Sequence, residues 1–123
     1  MKLRMETRNR GDIIIVHCQG RIVYRDEAAA LSCVIGEALQ QDGKLVLDLS
    51  GVSRMDSAGI GELALLPTWA RERSAAIKCA GPSPMVRTLL ELTNLDSVLE
   101  IHPNVEAALE AFQQLEERVC ADC

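Results

Sequence analysis

Short apolar runs alternate along the chain with stretches whose apolar residues recur every third or fourth position. Residues 3–8 alternate weakly and predict an edge strand before a turn at Arg10-Gly11-Asp12. Ile13-Ile14-Ile15-Val16 is continuous and β-branched, which predicts a strand buried on both faces and ending near Gln19-Gly20. From Asp26, a candidate helix cap, Leu31, Val34, Ile35, Ala38 and Leu39 follow helical spacing until Gly43. Leu45-Val46-Leu47-Asp48-Leu49 predicts a second buried strand, and Ser50-Gly51-Val52-Ser53 reads as the loop after it.

A second helix is predicted from near Ser57, with Ile60, Leu63 and Leu66 on one face. Ala75 to Cys79 predicts a third strand closed by Gly81-Pro82. Ser83-Pro84 predicts a helix start, with serine as cap and proline in the first helical position, and Val86, Leu89 and Leu90 as its buried stripe. Asn94 stands where a left-handed residue ends that helix, and Leu95 can fold back as the cap's apolar contact. Val98 to Ile101 predicts a short strand, and a last helix starts at Asn104 with Val105, Ala108, Leu109, Phe112 and Leu115 on one side. The residues from Val119 to Cys123 read as a frayed tail. The order β-β-α-β-α-β-α-β-α calls for parallel strands with right-handed crossovers, an α/β class.

Composition narrows the function. At 123 residues, the chain buries about two-thirds of its unfolded surface on folding, enough for one domain with a core. It holds one Trp, one Tyr and one Phe, so the core is aliphatic, and a base-stacking platform is excluded. A net charge of −5 argues against direct nucleic-acid binding. The basic excess of Lys2, Arg4, Arg8 and Arg10 over Glu6 reads as a solvated strand edge. No apolar stretch reaches the length of a membrane span, and no export signal opens the chain, so a cytoplasmic protein without membrane insertion is expected. The five cysteines then read as free thiols. Cys120-Ala121-Asp122-Cys123 has the Cys-x-x-Cys spacing but ends the predicted tail, away from any strand-to-helix junction that redox versions use.

The segment Val52 to Gly61 lies between a buried strand and a helix start, where open α/β sheets place their sites. Gly59 and Gly61 each cost a helix about 0.8–1 kcal/mol relative to alanine, which points to a close approach there, by neighbouring backbone or by a partner. Two readings of Asp56-Ser57 stay open on the residues alone. It is a capping dipeptide, or Ser57 is an exposed hydroxyl at a helix N-terminus where a phosphate is welcome. A catalytic serine needs an oriented base; His17 and His102 are both strand-associated, and the Gly-x-Ser-x-Gly elbow and the phosphate loop are absent. No enzyme, cofactor or metal is therefore expected.

The run from Leu45 to Gly61, LVLDLSGVSRMDSAGIG, resembles the signature of the STAS domain, the family of the bacterial anti-sigma factor antagonists. Gly20-Arg21-Ile22 and Thr93-Asn94-Leu95 extend the resemblance over nearly the whole chain. It implies an α/β single domain over 1–118 and a tail over 119–123, with a mixed, mostly parallel sheet of about five strands and about four helices packed mainly on one face. It also implies that Ser57 is the phosphoacceptor and that Ser53, Arg54, Met55, Asp56, Ala58, Gly59 and Gly61 meet the partner. That partner is an anti-sigma factor that is also a serine kinase; a serine phosphatase resets the switch.

Three departures bear on this. Val23 stands where the family has an acid, which moves that polar contact to Asp26. Ala58 removes an alternative acceptor beside Ser57. Pro67, inside the second helix, predicts a kink or break between Leu63 and Pro67 and an unusual setting for Trp69. The alternative function within the same fold is a constitutive scaffold or accessory subunit, in a lipid-transport ATPase complex or a stress-signalling assembly.

Overall fold

The computed structural model describes the backbone of residues 3–41 and 43–121, and the side chains of 3–40 and 43–113. Strands β1 (Arg4–Arg10) and β2 (Ile13–Ile22) form a hairpin around Gly11, whose φ of +64° suits glycine. There follow α1 (Tyr24–Gln41), β3 (Lys44–Met55), α2 (Ser57–Glu72), β4 (Ala76–Ala80), α3 (Pro84–Leu92), a 3-10 turn (Leu95–Ser97), β5 (Ile101–His102) and α4 (Val105–Ala121). The sheet runs β1-β2-β3-β4-β5, with β1 antiparallel to β2 and each later pair parallel. This is the mixed five-stranded α/β sheet expected from the sequence.

Because strand side chains alternate, the continuous apolar runs supply two cores. Ile14, Val16, Cys18, Leu45, Leu47, Leu49 and Cys79 face α1, α2 and α3, where Leu31, Ile35, Leu63, Leu66, Val86 and Leu90 close the larger core. Successive right-handed crossovers moving in one direction across a sheet place their helices on one face, which accounts for all three. Ile13, Ile15, Val46 and Ala80 face the other way and are covered by Ala108, Leu109 and Phe112 of α4. Lys78 on this second face is buried, with its ammonium 4.6 Å from the Phe112 ring centroid and paired to Glu100.

Several expectations are corrected. Ser50 to Ser53 is not a loop: β3 continues to Met55, paired with β2 through two register shifts, at His17/Gln19 and Gly20/Arg21. Each shift gives β3 one more residue than β2, so a turn-like composition is kept in the sheet as bulges. Gly51 is required there, since a Cβ would lie 2.7 Å from the Cys18 carbonyl oxygen. Asp26 does not cap α1, which starts two residues earlier at Tyr24 and leaves Asp26 in its first turn. The fourth parallel strand is only Ile101–His102, because Asn94, at φ +60°, turns the chain into the 3-10 turn and leaves Val98 exposed. α2 is unbroken through Pro67, with Leu63 and Leu66 fully packed within the expected break, and Trp69 packs against the main core. α4 runs on to Ala121, so the first three residues of the expected tail are helical; Asp122 and Cys123 lie outside the described residues.

Candidate functional site

The bulged end of β3 delivers the chain to α2 at the carboxyl ends of the parallel strands. Two carbonyls at this end of the sheet are each met by a serine hydroxyl. Ser53 Oγ donates to the Gly20 carbonyl and Ser83 Oγ to that of Val52, both at 3.0 Å. Ser83 also caps α3, accepting from the Val86 amide at 3.4 Å with Pro84 behind it, as the sequence predicts.

Asp56 is the cap of α2. Its Oδ1 accepts from the amides of Ala58 at 3.0 Å and Gly59 at 3.3 Å. Its Oδ2 accepts from the amide of Tyr24 at 2.9 Å, so one carboxylate ties together the starts of α1 and α2. These bonds hold the Asp56 carboxyl below the usual carboxylate range, the Tyr24 amide contributing most and those of Gly59 and Ala58 adding to it. In turn the Asp56 amide donates to the Ile22 carbonyl at 3.3 Å.

Gly59 explains how closely these pieces approach. A Cβ on it would lie 2.6 Å from both the Ile22 carbonyl oxygen and Met55 Cγ, distances no real side chain adopts. The close approach inferred from the two glycines is thus to neighbouring backbone at Gly59. Gly61 is exposed, with no atom near the place of its Cβ.

Ser57 is the first residue of α2; it is exposed, and its hydroxyl has no hydrogen-bond partner among the described residues. Arg54 and Ser53 are exposed on the same end of β3, Ala58 is half-buried, and Asp26 is exposed one turn into α1. Met55 departs from this group, its side chain being buried in the main core beneath the loop. The structure therefore gathers Ser53, Arg54, Asp56, Ser57 and Ala58 on one corner, with Met55 and Gly59 as its floor. Sequence reasoning missed Tyr24, which forms the other wall. Its φ of +67° is a conformation usually signalled by Gly or Asn, so nothing in a Val-Tyr dipeptide announces it.

The cysteines do not join this site. Cys18 and Cys79 are buried in the core and burial pushes both thiols up to about 12, which keeps them protonated and unreactive, while Cys33 is exposed on α1. Cys120 falls in α4 beyond the described side chains, and Cys123 lies outside the described residues. Among the described residues, no helix is long and apolar enough to cross a membrane.

Comparison with known proteins agrees with this architecture. The chain is 28% identical over 109 residues to Rv2638 of Mycobacterium tuberculosis, a protein whose name proposes an anti-anti-sigma role; the alignment covers 87% of this chain and 74% of that one. The crystal structure of an anti-sigma factor antagonist from Mycobacterium paratuberculosis superposes with a TM-score of 0.76 at 24% identity, covering 89% of this chain and 93% of that one. The phosphorylated form of the Bacillus cell fate determinant SpoIIAA superposes with a TM-score of 0.65 at 16% identity, covering 89% and 98%. At these identities the two structures speak for the fold. The family model of the STAS domain matches residues 4–108, and with that match over most of its length the chain belongs to the STAS domain family.

Proposed function

We propose that the chain is an anti-sigma factor antagonist acting in the cytoplasm. In its unmodified form it binds an anti-sigma factor that is also a serine kinase, and sigma factor is released. The kinase then transfers the γ-phosphoryl group of ATP to Ser57 Oγ, the hydroxyl proton leaves to a kinase base, and ADP departs. Phosphorylated chain dissociates, and a serine phosphatase restores the hydroxyl.

The observation that carries this reading is Ser57 itself: an exposed hydroxyl with no partner among the described residues, opening a helix one residue past a carboxylate committed to backbone. Phosphorylation adds about −1.5 to −2 charges at that point, enough to turn a fitted contact into a repulsive one. The relatives support the choice of partner, one named for an anti-anti-sigma role and one solved as an anti-sigma factor antagonist. The chain itself supplies recognition and no chemistry.

The test is a pairwise binding screen against the purified anti-sigma factors of the source organism, with and without ATP and Mg²⁺, followed by mapping of the phosphosite. We expect phosphate on Ser57, tight binding of Ser57→Ala, and binding of Ser57→Asp weakened by about 100-fold or more. Phosphate on another residue, or a Ser57→Asp protein that binds like the wild type, overturns the reading; the latter result is what a constitutive scaffold predicts.

A further inference from the structure

Two features of this corner work against the stability of the free protein. Tyr24 opens α1 at φ +67°, a region that a bulky residue occupies only under strain, and its side chain repays little because Tyr24 is 65% exposed. Asparagine or glycine would accept the same backbone more easily. Next to it, Arg21 of β2 and Arg54 of β3 stand side by side in register, a like-charge pair across neighbouring strands. Neither guanidinium donates a hydrogen bond among the described residues. The ion-pair partner of Arg21 is Glu27, 3.9 Å from Nε, too far for a hydrogen bond.

Yet the backbone that presents the ring is held in place, and a cation stands beside the ring. The Asp56 carboxylate holds the Tyr24 amide at 2.9 Å, and the Arg21 guanidinium carbon lies 5.7 Å from the ring centroid. An aromatic side chain oriented before binding loses little entropy when it docks, and such residues carry much of the energy of interfaces.

We propose that Tyr24 is the aromatic anchor of the partner interface, presented by Asp56, and that it enters an apolar pocket on the anti-sigma factor with a carboxylate at its mouth for Arg21 and Arg54. This rests on the reading of Ser57 given above and extends it. The clasp between Asp56 and Tyr24 gives phosphorylation a route to the anchor. A phosphate on Ser57 repels the Asp56 carboxylate and competes with it for the amides of Ala58 and Gly59. The Tyr24 amide then loses its acceptor, the strained turn relaxes, and the ring is withdrawn.

The variant that tests this is Tyr24→Asn, which removes the ring and tolerates the backbone. Titration calorimetry against the anti-sigma factor found in the pairwise screen is expected to show binding weakened by tenfold or more, with the thermal midpoint unchanged or raised. Tyr24→Phe is expected to bind within about threefold of the wild type. Hydrogen exchange at the Tyr24 amide is expected to accelerate by tenfold or more in the phosphorylated protein. If Tyr24→Asn lowers the thermal midpoint, Tyr24→Gly, which carries neither ring nor strain, replaces it in the same comparison. Wild-type affinity for the ring-free variant, while Ser57→Asp fails to bind, overturns the anchor and leaves the Ser57 reading intact. If Ser57→Asp also binds normally, or no anti-sigma factor binds, the Ser57 reading itself fails and the anchor falls with it.

Discussion

Asp48 and Asp56 are wired alike and placed differently. Asp48 lies inside β3 and Asp56 one residue past its end. Each accepts at Oδ1 from the amide two residues ahead, that of Ser50 or of Ala58, both at 3.0 Å. Each turns Oδ2 toward the β2 side, where Asp48 meets His17 Nδ1 at 2.6 Å and Asp56 meets the Tyr24 amide at 2.9 Å. Asp48, however, is buried on the α4 face and meets a side chain through Oδ2, whereas Asp56 sits at the rim and accepts from backbone amides at both oxygens. The same bonding pattern thus serves two ends. Inside the sheet it satisfies a buried carboxyl group, and at the rim it fixes the shape of a surface.

Binding and stability report separately on the two carboxylates. The largest effect expected is on binding: Asp56→Ala weakens the anti-sigma factor complex by tenfold or more, because both helix starts lose their tie, while Asp48→Ala leaves affinity within about twofold. Calorimetric titration of the two variants decides it, and an Asp48 variant that loses binding would dissolve the division of labour. In urea melts, Asp48→Ala is expected to cost about 1–3 kcal/mol, since the Ser50 amide and the partly exposed His17 lose an acceptor in a mostly buried setting.

The two glycines in the first turns of α2 separate floor from surface. Gly59→Ala is expected to destabilise by about 1–3 kcal/mol in the same melts, its methyl driven against the Ile22 carbonyl and Met55. Gly61→Ala, open to solvent, is expected to stabilise by about 0.8–1 kcal/mol through helix propensity alone. The smallest effect is the pH dependence. Because the folded-state Asp56 carboxyl lies below its unfolded value, its contribution is present above the ordinary carboxylate range and is lost as pH falls through the folded value. The difference in melting temperature between wild type and Asp56→Asn is therefore expected to be constant near neutrality and to close in acid.

Local signals in the sequence carried most of the architecture. Ser83-Pro84 caps α3, Asn94 is left-handed, and the apolar runs became strands because each of those features depends on neighbours in the chain. What failed to show depends on what the surrounding fold does with a segment rather than on that segment's composition. Ser50 to Ser53 has a loop's composition and becomes strand only because β2 lies alongside to hold its bulges. Val98 and Leu99 have a strand's composition and are drawn off by the turn at Asn94 before they reach β4. At the site, Asp56, Ser57 and Gly59 were legible as a capping segment with a tight approach. Tyr24 was not, since its strained backbone is imposed by a carboxylate from another part of the chain.

The strand order β1-β2-β3-β4-β5 also has a consequence for how the molecule comes into being. No strand has to be slotted between two that are already paired, so each new one adds to the growing edge in the order of synthesis. The β1–β2 hairpin provides the first edge from residues close in sequence, and each strand–helix unit then closes over the last. Of the corner that carries Ser57, every residue but Ser83 has been synthesised by the end of α2, before β4, β5 and the cover of the second face.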